Sequence, residues 1–457
     1  MSTPIATFAA FESKMKKEGL PDVVIRSFVH YYKQLIEGHT GLIAETSIRP
    51  VQDVPDTKSF SDSLAEVGRA ALSKTVVVKL NGGLGTGMGL NQAKSLLVVK
   101  DDYCFLDTIA KQALQSNVPL VLMNSFSTSA DSLQRMERYP ELSNGPMPLE
   151  FVQHKVPKVL CETFEPAVSH EAPEREWCPP GHGDLYTAMV TTGILETMLE
   201  HGYEYLFVSN ADNLGAVMDP ALLGHFVTKK LSFMMEVADR TMADRKGGHL
   251  AQDSAGHLLL RESAQCAASD TETFQDVSRH RYFNTNNLWV HLPTLKQVMD
   301  AREQVLGLAM IRNKKTLDPR DPNSPAVFQL ETAMGSAISV FENAGAVRVP
   351  RSRFAPVKTT SDLLAIRSDA YVLNASFQIG AAKPGASVVV ALDPTYYKLV
   401  DDLEKRFPHG PPSLVDCQSL RVTGDVYFGA NVRCIGAVEI TNSTDAPMYI
   451  DDDAVLR

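Results

Sequence analysis

Apolar residues fall at helical spacing over the first forty positions. Phe8, Phe11 and Met15 share one face of a segment that Gly19 ends. Pro21 opens a second segment, in which Val24, Phe28, Tyr31 and Leu35 form a stripe that stops before Gly38. The pattern predicts a helical hairpin packed on a larger body. From about residue 70 the period changes. The runs TVVVKLN, VPLVLMNS, LEFVQHKVP, YEYLFVSN and LSFMMEVAD alternate with helical stretches, which predicts an α/β fold with a mostly parallel sheet covered by helices. Ligands of such sheets sit beyond the carboxyl ends of the strands. Those ends fall at Asn81-Gly82, Asn124-Ser125, Gln153-His154 and Asn210 to Asn213, all polar or glycine-bearing. Past about residue 375 the helical pattern fades to one short helix over TYYKLVDDLEKRF. Val422, Val426, Phe428, Val432, Ile435, Val438 and Ile440 then alternate with Gly424, Gly429 and Gly436, which suggests a few coils of a β-helix, with a small sandwich as the plainer alternative.

The stretch VVVKLNGGLGTGMGLNQAK holds the strongest local signal. A buried strand, TVVVKL, runs into five glycines between Gly82 and Gly89. Glycine admits positive φ and close approach, and successive bare amides make an anion-binding concavity. Lys94 beyond it adds a point charge suited to phosphate. The spacing is not that of a Walker A loop, because Ala93 precedes Lys94-Ser95. Nor is it a dinucleotide fingerprint, because no start among these glycines meets a third at the right distance. Further on, Asn210, Asp212 and Asn213 at a strand end suit either an Asx turn or a metal-ligating carboxylate.

Composition narrows the field only a little. The 457 residues suffice for two to four domains. Forty-four Lys+Arg against 54 Asp+Glu give a net charge of −10, which argues against nucleic acid or an anionic membrane as main partner. The six cysteines form no C-x-x-C pair and read as reduced, mostly buried thiols. The start, MSTPIATFAAFESKMKKEG, lacks the order of a signal peptide, no apolar run is long enough to span a membrane, and AVLR at the end is no receptor-read address. A cytoplasmic location is expected.

The glycine loop, read as L-N-G-G-L-G-T-x-M-G followed by x-x-x-x-K, resembles the nucleotide-binding loop of the UDP-glucose pyrophosphorylases (UTP–glucose-1-phosphate uridylyltransferases). PPGHGD at 179–184, VSNADNLGA at 208–216, KGGHLA at 246–251, FNTNNLW at 283–289, QLETAMG at 329–335 and RFAPVKT at 353–359 resemble that family's motifs in its order. Together they span most of residues 75–370, and the spelling is most similar to the protozoan, Leishmania-type members. The resemblance implies three parts: an N-terminal helical segment (1–50), a Rossmann-like, GT-A-like nucleotidyltransferase domain with a mixed sheet and helices on both faces (51–372), and a left-handed β-helix (373–457).

It also implies a reaction: UTP and α-D-glucose 1-phosphate give UDP-glucose and pyrophosphate, with Mg²⁺ as cofactor. The attacking phosphate oxygen is already an anion, so positioning and charge neutralisation suffice without a general base. On this resemblance Leu80, Asn81, Gly82, Gly83, Gly85 and Thr86 cradle the nucleotide, with Met123, Gln153, Gly181, His182, Gly183 and Asn210. Gln153 can both donate to and accept from a base edge. Gly181 and Gly183 lie against the base and His182 near the phosphates. Asp212 ligates Mg²⁺. Lys94 and Lys358 are catalytic, the first on the pyrophosphate side, the second at the phosphate joining sugar and nucleotide. Gly248, Glu262, Phe283, Asn284 and Asn286 hold the sugar, strand alternation putting both asparagines on one face. Arg351 and Arg353 are structural or peripheral, and Asp184 is an N-cap. Gly87 stands where the UDP-N-acetylhexosamine pyrophosphorylases usually carry arginine, which favours glucose 1-phosphate. A broader UDP-sugar pyrophosphorylase and a silent nucleotide-sugar sensor are the alternatives. A monomer is expected, with the C-terminal part as the surface for any homo-oligomer.

Overall fold

The computed structural model describes residues 4–383 and 388–457; the first three residues of the N-terminal segment lie outside it. Helices α1 (Pro4–Lys17) and α2 (Asp22–Ile36) form the expected hairpin, with Gly19 and Gly38 in left-handed conformation at their ends. Phe11, Met15, Val24, Phe28 and Leu35 are buried against Val156, Val159, Cys178 and Leu330 of the main body. One position differs from the periodicity. Tyr32 joins this cluster as well, its hydroxyl donating to the Phe164 carbonyl, while Tyr31 packs against it partly buried.

All five strand-like runs are strands: β1 (Thr75–Asn81), β2 (Leu120–Asn124), β3 (Glu150–Val152), β4 (Tyr205–Asn210) and β5 (Phe233–Asp239). The order β4-β1-β2-β3 is parallel throughout. The ten-stranded sheet is mixed, because β6 (His249–Gln252) and β8 (Tyr282–His291) run antiparallel to their neighbours, and β7 (Leu258–Arg261) pairs with β6. A further strand, β9 (Ala344–Arg348), lies parallel to β5.

The near-continuous apolar runs bury both faces of the parallel strands. Val77, Leu120, Leu122 and Phe207 point to one side, where α4 (Phe105–Ser116), α5 (Ser129–Met136) and α8 (Pro220–Thr228) pack. Val76, Val78, Val121, Leu206 and Val208 point to the other, under α6 (Asp184–Thr191), α7 (Ile194–Glu200) and α9 (Leu292–Ala301). Helix α3 (Asp62–Ala71) crosses α8 with backbones in contact at Gly68 and Gly224.

The C-terminal part begins after helix α10 (Thr360–Arg367). The short helix expected over TYYKLVDDLEKRF is two pieces, Pro394–Tyr397 and Val400–Arg406, parted at Leu399. The strands that follow stack in parallel, with Leu420 opposite Val438, Val426 opposite Met448 and Arg433 opposite Val455, and their apolar residues continue the core of the main sheet. Every cysteine is a free thiol, and among the described residues no helix is long and apolar enough to cross a membrane.

The α3–α8 crossing gives a sharp stability test. A methyl group on Gly68 would lie 1.7 Å from the Pro220 carbonyl oxygen, and one on Gly224 1.8 Å from that of Leu64. Gly68→Ala is expected to cost about 3 kcal/mol, the upper end of ordinary overpacking, read as a lowered urea midpoint.

Candidate active site

The site forms where β1, β2, β3 and β4 end together. Beyond β1 the chain makes two single 3₁₀ turns, Thr86–Met88 and Lys94–Leu96, with Gly85 and Gly89 left-handed at φ +67° and +80°. The Lys94 amide donates to the Gly83 carbonyl at 3.0 Å and closes the loop. A side chain at Gly83 or Gly87 would meet nothing, so backbone is open there, with Thr86 between them. Gly82 is confined instead: a Cβ would sit 2.8 Å from the Gln153 side-chain nitrogen. The Gln153 amide thus lies directly over the loop's first glycine, and it makes no side-chain hydrogen bond within the described residues.

Asn81 turns away from the loop. It is buried and donates to Asn124 Oδ1 at 2.7 Å and Ser132 Oγ at 2.8 Å, so its side chain joins strand ends and leaves only backbone for a ligand. Leu80, the next residue back, is half-buried, and Met123 is core.

The Gly181–Asp184 segment is seated on the strand Ala326–Thr332. Gly183 N–H donates to the Thr332 carbonyl, and Thr332 N–H donates to that of Pro180. A Cβ on Gly181 would meet the Thr332 carbonyl oxygen at 2.4 Å, and one on Gly183 the Thr332 hydroxyl at 2.2 Å. These glycines are therefore dictated by Thr332, whose backbone and hydroxyl leave no room for a side chain. Asp184 is the first helical residue rather than the cap. Its carboxylate accepts from the His154 amide at 2.7 Å and faces the His154 ring at 3.0 Å, which pins the residue after Gln153. His182 Nδ1 accepts from the Met334 amide at 3.1 Å, so the neutral ring carries its proton on Nε2. Burial lowers its pKa to about 4.

Asp212 and Lys94 meet at 2.7 Å, each partly exposed. The Asp212 carbonyl accepts from the Val357 amide at 3.2 Å, which brings the exposed Lys358 to the same strand end. Asn210, half-buried, takes the Asn213 amide on its carbonyl. Among the described residues no three His, Cys, Asp or Glu side chains converge on a point. A cation at Asp212 would therefore take one carboxylate and complete its shell from phosphate oxygens and water, which is the habit of Mg²⁺.

The residues expected at the sugar are brought together in part. A Cβ on Gly248 would lie 2.5 Å from a Glu262 oxygen, so that carboxylate rests on bare backbone. Burial pushes the Glu262 pKa up, and Lys358 partly counters it. Asn284 and Asn286 do share a side, Asn284 Nδ2 donating to Asn286 Oδ1 at 2.8 Å. Regular alternation is not the reason. The β5–β8 pairing shifts register between Met235 and Val237, and Asn286 is left-handed at φ +59°. Phe283 and Trp289 offer no open ring. Phe283 is buried against Phe354, with Arg351 4.9 Å above it, and Trp289 is core.

Sequence reasoning missed the buried layer below. Glu236, fully buried, accepts from Arg353 Nε at 2.7 Å and Nη2 at 2.8 Å, from Trp289 Nε1 at 2.9 Å and from Asn287 Nδ2 at 3.0 Å. Arg353 is structural, but far from peripheral. A glutamate inside FMMEVAD was the visible signal, since a carboxylate in a buried strand needs a cation.

This geometry defines a nucleotidyltransferase, an enzyme whose glycine loop, carboxylate and lysine meet at parallel strand ends, with a second lysine on the segment bonded to the Asp212 backbone. The chain belongs to the UTP–glucose-1-phosphate uridylyltransferase (UDPGP) family, whose sequence profile matches residues 25–434. It is 38% identical over 474 residues to the UTP–glucose-1-phosphate uridylyltransferase of Hordeum vulgare, covering 98% of this chain and 97% of that one. It is 40% identical over 408 residues to a probable enzyme of the same name from Schizosaccharomyces pombe, covering 87% and 79%. A variant of Leishmania major UDP-glucose pyrophosphorylase solved with UDP-glucose is similar at TM-score 0.92, with 44% identity over 99% of this chain and 98% of that one. A Trypanosoma brucei structure is similar at TM-score 0.88 and 44% identity, covering 99% and 98%.

The half-buried His182 makes stability depend on pH. The folded ring titrates near 4 and the unfolded one near 6.5, so the folded state binds fewer protons between those values. The stability His182 contributes is complete above pH 6.5 and is lost as pH falls toward 4. Acidification from about pH 7 to about pH 4.5 is expected to lower the urea midpoint of the wild type more than that of His182→Gln.

Proposed function

We propose that this site makes UDP-glucose from UTP and α-D-glucose 1-phosphate in an Mg²⁺-assisted, in-line uridylyl transfer. The observation that carries the reading is the contact of Asp212 with both Lys94 and the Val357–Lys358 segment at the mouth of the glycine loop. A sugar phosphate oxygen forms a bond to the α-phosphorus of UTP while the bond from that phosphorus to the β-phosphate's bridging oxygen breaks, and pyrophosphate leaves. Lys94 neutralises the leaving side and Lys358 the phosphate that comes to join sugar and nucleoside. His182 donates from Nε2 to a phosphate oxygen without carrying charge. Gln153 reads the uracil edge over Gly82, with Leu80 and Met123 as the apolar floor. Asp212 would hold Mg²⁺, which when bound spreads positive charge over phosphate oxygens.

Asn284, Asn286 and Glu262 serve the sugar hydroxyls. The parallel C-terminal stack is read as a β-helix, the mixed sheet as the GT-A-like nucleotidyltransferase core, and the active unit as a monomer in the cytoplasm. The three-part division at residues 50 and 372 follows the same reading.

The test is pyrophosphate release with UTP and Mg²⁺, comparing glucose 1-phosphate, galactose 1-phosphate and N-acetylglucosamine 1-phosphate. Strong preference for glucose 1-phosphate is expected; equal rates would mean a broad UDP-sugar enzyme, and none at all a binding protein. Lys94→Ala and Lys358→Ala should each lower kcat about 100-fold or more, the scale of losing one placed charge in the transition state, and Asp212→Ala should flatten the Mg²⁺ dependence. Gly82→Ala should displace Gln153 and raise KM for UTP about tenfold, one hydrogen bond's worth, with kcat little changed.

A further inference from the structure

We infer that Lys79, inside the sheet and out of reach of substrate, is a positioning residue that holds the Asp212 turn in register with the Lys358 segment. The inference rests on the function proposed above. Lys79 lies on β1 and is 3% exposed. Its ammonium donates to Ser209 Oγ on β4 and to the Ala216 carbonyl, both at 2.7 Å. Ala216 closes the turn that starts at Asn213, directly after the Asn210–Asn213 turn that carries Asp212, so Lys79 fixes the end of that double turn from below.

The same turn is held from its other side. Asn213 Nδ2 donates to the Arg353 carbonyl at 3.0 Å, and Asn213 Oδ1 accepts from the Ala355 amide at 3.0 Å. Arg353 Nη2 donates to the Val217 carbonyl at 3.0 Å. With the Val357–Asp212 bond, residues 212–217 are clasped between Lys79 and the 353–357 segment that leads into Lys358.

A lysine is a costly choice for this place. Both of its hydrogen-bond partners are neutral, and burial together with Arg353 pushes its pKa down to about 7, against the pull of Glu236. An apolar side chain of similar length would fill the volume without that penalty. What only the donor supplies is the grip on Ala216, and the turn it fixes serves the reaction rather than the core.

Lys79→Met tests this directly, since it keeps the stem and removes the donors. Three quantities are read: kcat in both directions, the Kd for UDP-glucose by calorimetry, and amide exchange of residues 211–217. Expected are a kcat lower by about tenfold or more, a Kd within about threefold of wild type because the base and sugar contacts lie elsewhere, and faster exchange in the turn. Unchanged kcat with unchanged exchange would overturn the inference. So would parallel losses in kcat, Kd and melting temperature, which mark a general packing role. If the wild type itself has no turnover, the fault lies with the proposed function, and exchange in 211–217 alone decides whether Lys79 positions the turn. Should Lys79→Met fail to fold, Lys79→Gln, whose amide ends one bond short of the ammonium's position, is read in its place, and wild-type kcat alongside faster exchange in 211–217 would equally overturn the inference.

Discussion

One carboxylate with no access to water organises this active site. Glu236 sits in β5, where a charge is tolerable only if every lone pair is engaged and a cation stands beside it. Arg353 supplies the cation and two bonds, and Trp289 and Asn287 supply the others. Removing either charge from such a pair typically costs about 3–5 kcal/mol, because the survivor stays buried and unpaired. Satisfying Glu236 therefore fixes where Arg353 must be, and its carbonyl then receives Asn213 from one loop and Asn287 from β8. The Asp212 turn and the Asn284–Asn287 stretch are measured from the same ion pair.

The register shift in β5 belongs to this arrangement. Glu236 falls at the discontinuity between Met235 and Val237, opposite the stretch where Asn286 turns left-handed. A regular ladder would send Asn284 and Asn286 to one face and Asn287 to the other with ordinary spacing. The bulge lets Asn287 reach inward to Glu236 while Asn284 and Asn286 bond to each other at the cleft. The irregularity that looks like a flaw in the strand is the joint between core charge and the paired amides of Asn284 and Asn286.

Local signals carried far in this chain. The five strands, the helical hairpin and the glycine loop were legible because each is written in neighbouring residues: period two or near-continuous apolar runs, period 3.6, and glycine where no other residue fits. The gathering of Lys94, Asp212 and Lys358 was legible only through ordered motifs, since 118 positions separate the first two. What stayed hidden depends on partners distant in sequence. Tyr32, off the predicted stripe, enters the core beside Tyr31, where the Phe164 carbonyl accepts its hydroxyl. Gly181 and Gly183 announce close approach, but nothing local says that Thr332 is what approaches. Phe283 and Trp289 look like sugar platforms until the structure covers them.

The contact between Lys94 and Asp212 has a consequence for selectivity among solutes. Each of these groups is the other's counter-ion. A lone anion drawn to the lysine must compete with the carboxylate, and a lone cation drawn to the carboxylate must compete with the lysine. Solutes that bring both charges at once exchange the internal partner for two external ones and leave neither group stranded. By linkage the two arrivals strengthen one another by the same factor in either order. The contact thus sets a coincidence condition: one sign of charge arriving alone strands one of the two groups, and both signs arriving together strand neither.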